Sequence, residues 1–208
     1  MGSYIRPSSF HTFDPIRLAP DSLIDAIHSS IDGDHEQIEE ILNGFSGLPE
    51  LKQGEAAPLD KATMLFISIL DWHDNGGAPQ SLDAGHSRER LGRFPSNDGN
   101  AIEYLLEFTG GDEGVSRLHT LLEKLARGMR EEILGYGGFS SGSAGVELLG
   151  WLDMEDVHLL RKEIESGGWL VKSDEPLDGG VQDAFRHLLV FLRSASRRRC
   201  GILMRKHS

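Results

Sequence analysis

The chain has 208 residues, 33 of them acidic and 21 basic, with a formal net charge of −12. An acidic body repels phosphate, which argues against sequence-independent nucleic-acid binding as a main role. The longest apolar run, Met64 to Leu70, is far too short to span a membrane, and a single cysteine, Cys200, excludes an internal disulfide.

A chain of this length is expected to form one domain over 1–208 and to bury roughly 70% of its unfolded surface. Hydrophobic residues make up 38% and there are 25 glycines, a combination that suggests a core carrying long Gly-bearing loops near 74–100, 135–150 and 167–180. The start, MGSYIRPSSF, has no apolar stretch, so no signal peptide is expected and the cytoplasm is the simplest location. Charge is unevenly divided. Residues 184–208 hold seven basic residues and no acid, leaving 14 basic residues against all 33 acids elsewhere, a balance of −19. The Arg197-Arg198-Arg199 run reads as a helix end, where cations oppose the negative end of the helix dipole.

In chain order, Tyr4-Ile5 reads as a short strand closed by Pro7. Pro20-Asp21-Ser22 reads as a helix start, with Leu23, Ile24, Ile27 and Ile31 on one face. Asp34 is expected to cap the next helix, with Gln37 in the capping-box position and Ile38, Ile41 and Leu42 inward. A third helix starts near Asp60 and runs to about His73, apolar nearly all round and therefore central; a buried strand is the competing reading. After the loop to Asn100, Ser96 or Asn97 caps a helix carrying Ile102, Leu105 and Leu106, which Gly110-Gly111 ends. The 3.6-residue repeat of Val115, Leu118, Leu122, Leu125, Met129 and Ile133 predicts one long helix from about Asp112 to Leu134. Asp153 caps a helix with Val157, Leu160 and Ile164 inward and Gly167 past its end. The last helix covers about Val181 to Arg198, and Cys200 to Met204 reads as a terminal strand that pairs with the N-terminal one.

Candidate chemistry is sparse. His86, Arg88, Arg90 and Arg93 share the first long loop with His73 at its mouth, a set that suits a phosphate or carboxylate ligand because guanidinium is a planar two-pronged donor. No Ser or Cys nucleophile lies at a diagnostic spacing from His73 or its flanking Asp71 and Asp74, so no catalytic residue is assigned. The loop Gly135-Tyr136-Gly137-Gly138-Phe139-Ser140 has Ser where a dinucleotide fingerprint needs Gly, and no Lys-Ser or Lys-Thr pair makes it a P-loop. His119 and Glu123, four apart, suit a surface hydrogen bond better than a metal. Asp32, Asp34 and Glu36 resemble the start of a calcium loop, but Gln37 replaces the required Gly and Asn43 the final Glu. Neither a metal nor a cofactor is expected, and Cys200 is expected to be a buried small residue. The remaining feature is the acidic cluster Asp32, Asp34, Glu36, Glu39 and Glu40. Acids at a helix start complement its dipole, but Glu39-Glu40 extends past that, where a basic protein partner could dock.

From Leu134 the order Leu-Gly-Tyr-Gly, a spacer, and Trp151-Leu152-Asp153-Met154-Glu155-Asp156-Val157 opening a helix, followed by a final amphipathic helix and Gly201-Ile202-Leu203-Met204, resembles the C-terminal part of the YfbM-like bacterial family of unknown function. Leu59-Asp60-Lys61 before an apolar helix is similar to that family's Asp-Lys helix. The resemblance covers the C-terminal third of the chain. It implies a small bacterial cytoplasmic α+β domain and brings no catalytic residues.

The expected fold is α+β, mostly helical, with a small sheet that includes the N- and C-terminal strands. The expected function is that of a non-enzymatic protein-binding protein of the immunity or inhibitor kind, its acidic surface masking a basic partner such as a toxin. The alternative is a small-molecule-binding enzyme built on residues 73–93.

Overall fold

The computed structural model describes residues 10–42, 48–73, 76–77, 79–80, 82, 94–95, 99–110, 116–143 and 145–207. The fold is α+β. Its organising element is the last strand, β5 (Gly201–His207), which lies between β1 (Phe10–Ile16) and β3 (Glu147–Leu152) in an antiparallel sheet of order β1-β5-β3. Gly201, Ile202, Leu203 and Met204 are all buried. A strand covered on both faces loses the polar half of the usual alternation, which is why this stretch is uniformly apolar.

The two faces of the sheet carry separate cores. Phe13, Leu152, Ile202 and Met204 pack into one with α4 (Ala101–Phe108), α5 (Arg117–Arg127), α7 (Met154–Ser166) and α8 (Gly180–Arg198). Ile16, Leu148, Trp151 and Leu203 pack into the other with α1 (Ile24–Ile31), α2 (Glu36–Ile41) and α3 (Lys61–Ile69). A 3-10 turn (Pro20–Ser22), a two-residue ribbon, β2 (Thr109–Gly110) with β4 (Leu170–Val171), and a short helix, α6 (Glu131–Leu134), complete the elements among the described residues. Among the described residues no helix is long and apolar enough to cross a membrane.

The last two helices follow their sequence signals closely. The Asp153 side chain accepts from the Asp156 N–H at 2.8 Å, Gly167 ends α7 in the left-handed region, and Val157, Leu160 and Ile164 are buried. α8 buries the stripe from Val181 to Ala195. Asp60 caps α3 through the Thr63 N–H, and the helical reading of its apolar middle prevails over a strand. That helix stops at Ile69 rather than near His73, because Leu70 turns extended and bridges Ile16 beside β1.

Other expectations are corrected. The N-terminal strand of the sheet is 10–16; Tyr4-Ile5 lies outside the described residues. Pro15 interrupts the strand pattern and is tolerated because β1 is an edge strand, where its missing N–H breaks no ladder bond that the sheet needs. Asn100, not Ser96 or Asn97, caps α4, accepting from the N–H groups of Ile102 and Glu103. The Asp112–Leu134 helix is two helices. At Gly128 a Cβ would lie 3.1 Å from the Trp151 ring, and the next residue leaves the helix to donate its N–H to Leu149 O at 2.9 Å. Met129 thereby enters the second core while Leu118 to Ala126 stay in the first. Residues 135–150 are not one loop, because β3 occupies their end; its Gly150 sits at a register irregularity against β5. A Cβ there would meet Lys124 O at 2.1 Å. Ile41, expected inward on α2, is 44% exposed.

Two substitutions and a control test this arrangement by urea denaturation. Leu203→Ala empties a fully buried site in the central strand and is expected to cost about 2–5 kcal/mol. Gly150→Ala forces β3 away from α5 and is expected to cost about 1–3 kcal/mol, whereas Gly168→Ala, which meets nothing closer than 3.8 Å, stays within about 0.5 kcal/mol.

Candidate functional site

The acidic cluster spans the α1–α2 turn and the start of α2, and the fold holds that turn firmly. α1 ends at Ile31, and Gly33, at φ 95°, reverses the chain. A Cβ on Gly33 would lie 3.0 Å from the Gly54 carbonyl carbon, so the 52–57 segment packs directly on the turn. Gly54 N donates to Gly33 O at 2.8 Å and Ala57 N to Ser30 O at 3.2 Å.

His35 pins the same assembly from inside. It is only 1% exposed, although acids flank it in sequence. Its Nε2 lies 3.2 Å from Lys52 O and 3.0 Å from Glu55 O. Carbonyls only accept, so Nε2 carries the hydrogen. Nδ1 is 2.6 Å from the Ser30 hydroxyl, and the backbone N–H donates to Gln53 Oε1 at 3.1 Å. His35 carries no sequence signal: apart from Ser30, its partners lie in the distant 52–55 segment, two of them backbone carbonyls, at no diagnostic spacing.

On this base the five predicted acids all point to solvent. Asp32, Asp34, Glu36, Glu39 and Glu40 are each exposed, while Ile38 and Leu42 anchor α2 beneath them. The predicted capping arrangement is displaced by one residue. His35 is the N-cap and offers no side-chain bond, while Asp34 Oδ1 accepts from Glu36 N at 3.2 Å and from Gln53 Nε2 at 3.4 Å. Among the described residues none of the five enters an ion pair, whereas acids elsewhere pair with Arg117, Lys124, Arg127, Arg161, Arg186, Arg193, Arg205 and Lys206. Glu36 and Glu39 fall in the first turn of α2, where the helix dipole favours them. Glu40 lies beyond it.

The alternative site is only partly described. His73 is exposed and starts a turn, its N–H donating to Gly77 O at 3.2 Å and its carbonyl accepting from Gly76 N at 2.8 Å. His86, Arg88, Arg90 and Arg93 lie outside the described residues. Asp71, beside His73, is tied to the sheet edge through its N–H to Pro15 O at 2.9 Å.

The Gly-rich 135–145 segment is held against α1 and α3. Tyr136 donates to Asp25 Oδ1 at 2.9 Å, and Ser143 gives both its N–H and its hydroxyl to Asp60 Oδ2, at 2.9 and 2.6 Å. Gly142 passes so close that a Cβ would lie 2.5 Å from Asp60 Oδ1. Lys61 donates to His28 Nε2 at 3.1 Å. Burial opposes ionisation of Asp60, but the bonds from Ser143 and Thr63 outweigh it and hold the carboxyl near 2. His119 is used structurally, its Nε2 3.0 Å from Thr109 O, while Glu123 turns to Arg127. Cys200 is buried, and burial, with the Asp71 carboxylate adding, raises its thiol to about 11, so it is not a reactive thiolate. Among the described residues no three His, Cys, Asp or Glu side chains are grouped to hold a metal ion.

Comparison with family models, with curated proteins and with solved structures returned no match.

His35→Ala leaves two carbonyls and a buried hydroxyl without their partner. It is expected to cost about 1–3 kcal/mol and to speed amide exchange at Gly54 and Ala57, as read by NMR. Asp60→Ala removes the α3 cap and the bonds to Ser143, costing about 1–2 kcal/mol in thermal unfolding. The Asp60 carboxyl is lower in the folded chain than its ordinary value of 3.8. Its contribution is therefore complete above about pH 4 and is lost as pH falls through about 2. An Asp60→Ala chain should show a shallower acid destabilisation over that window.

Proposed function

We propose that this chain is a non-enzymatic bacterial protein-binding protein of the immunity or inhibitor kind, which presents the α1–α2 turn to a basic protein such as a toxin and masks it. The observation that carries the proposal is the state of the five carboxylates: all exposed, none in an ion pair among the described residues, Asp32 and Asp34 on a turn that His35 and the 52–57 segment hold in place and Glu36, Glu39 and Glu40 on the helix that follows it. The backbone that carries these charges is fixed before docking, and their field extends about 8–10 Å at physiological salt, enough to speed capture of a cationic partner. Ile41, 44% exposed on the same helix, supplies an apolar contact beside them. A cytoplasmic location and membership of the YfbM-like family belong to the same proposal. The family reading is supported by the Gly135-Tyr136-Gly137 turn and the Asp153 helix start.

The test is affinity capture from the source cell on immobilised chain, with the triple variant Glu36→Lys, Glu39→Lys, Glu40→Lys in parallel. A basic protein retained by the native chain, released by high salt and not held by the variant is the expected result. Because the three glutamates are exposed, the variant should fold as the native chain does. Equal capture by both chains would place the interface elsewhere.

A further inference from the structure

A half-open cavity of about 310 Å³ lies at one end of the sheet, between the sheet and the α4–α5 pair. It is independent of the acidic turn. Its floor is a cross-strand row in which Lys206 of β5 pairs with His11 of β1 on one side and Glu147 of β3 on the other. Lys206 follows Ile202 and Met204 along the sheet face that carries the larger core, so an apolar residue there would have continued that core. The row is polar instead, and the space above it is left open. Ala126 and Leu149 give the wall an apolar part, and Ser140 and Ser141 supply hydroxyls.

The charges in the wall are unequally committed. Glu103 is gripped by Arg127, whose Nε donates at 2.8 Å and whose second nitrogen takes the other oxygen. Glu147 lies 3.7 Å from the Lys206 ammonium. Both lining carboxylates thus have a cation from the fold. Arg130, which also lines the cavity, is exposed and among the described residues enters no ion pair. An open guanidinium is a two-pronged donor shaped for a carboxylate. The cavity volume falls at the lower end of the range for small-molecule sites. A doubly charged anion would sit close to Glu103 and Glu147 with one uncommitted cation to balance it, which favours a single negative charge.

We infer that this cavity is a binding site for a small monocarboxylate with an apolar body, its carboxylate on Arg130 and its body against Ala126 and Leu149.

The probe is benzoate, with benzamide as its neutral isostere and inorganic phosphate as the competing anion, each titrated into the full chain and followed by amide NMR. Benzoate is expected to give saturable shifts at residues 140–141, 147–149 and 206, and benzamide to bind at least about tenfold more weakly. Arg130→Ala should lower benzoate affinity by about tenfold, and Arg130→Lys should recover part of it. Absence of saturable shifts at these amides, equal binding of benzamide, tighter binding of phosphate, or an Arg130→Ala chain that binds benzoate as well as the native one would each overturn the assignment. If Arg130→Ala does not fold, the benzoate–benzamide comparison on the native chain decides the question. The glutamate-to-lysine variant of α2 leaves benzoate binding unchanged, so this site and the protein-binding surface succeed or fail separately.

Discussion

Burial of β5 on both faces is the constraint from which the rest of the architecture follows. A strand placed at the centre of a sheet must have its backbone bonded on both sides and both sets of side chains removed from water. Ile202, Leu203 and Met204 meet that requirement, and each such side chain contributes about 1.5–3 kcal/mol on burial. The surface ion pairs of the molecule are individually worth at most about 1 kcal/mol, so apolar burial decides where the C-terminal segment goes. The helices divide accordingly: α4, α5, α7 and α8 cover Ile202 and Met204, and α1 to α3 cover Leu203. The basic residues that follow are then positioned by the strand and met by acids. Arg205 bonds to Asp14 and lies over the Phe66 ring, and Lys206 faces Glu147. The basic end of the chain is built into the sheet and is not a free cationic arm.

Close packing around that strand depends on missing side chains at particular points. At Gly201 a Cβ would lie 2.5 Å from Leu152 O and 2.9 Å from the Ile16 side chain, so the strand enters the sheet only as glycine. Gly150 and Gly128 do the same for β3 against α5. The break at Gly128 also moves the chain from one core to the other. A continuous helix through Leu134 would have kept Met129 beside Leu125 and left the second core short of a residue it buries completely.

The parts of this fold that could be read from sequence are those whose environment is uniform. α7 and α8 each lie on a single core, so their apolar stripes and end signals agree. The first half of β5, Gly201 to Met204, is apolar because both its faces are covered there. The parts that resisted reading are those where a residue answers to two neighbours at once. β1 carries His11, Asp14 and Pro15 because it is an edge strand, with its polar residues at the sheet's margin. β3 reads as the tail of a Gly-rich loop because Gly150 is needed for a close approach to α5. The apolar period of α5 continued through a glycine whose reason to end the helix is Trp151, more than twenty residues away. The acids of the candidate surface were visible as charges, and charge alone places them in solvent. The group that fixes them, His35, was not visible, because backbone carbonyls of a distant segment define its role. The polar row at the cavity was equally hidden, since His11, Glu147 and Lys206 meet only through strand register.

Charge distribution links these observations. The chain has 33 acids and 21 basic residues, so any fold that pairs its cations leaves carboxylates over. Here the cations are spent largely on the sheet and on the α4, α5, α7 and α8 layer, where Lys124 holds Asp156, Arg127 holds Glu103 and Arg193 holds Glu165. The α1–α2 turn receives none of them among the described residues. Exposed acids at that density repel one another, and a turn stabilised only by its own backbone would relieve the repulsion by loosening. The buried imidazole of His35, its two carbonyl acceptors and the Gly33–Gly54 approach oppose that loosening. Five carboxylates of the surplus, Asp32, Asp34, Glu36, Glu39 and Glu40, therefore stand exposed on a mount that the buried imidazole and the 52–57 segment hold in place.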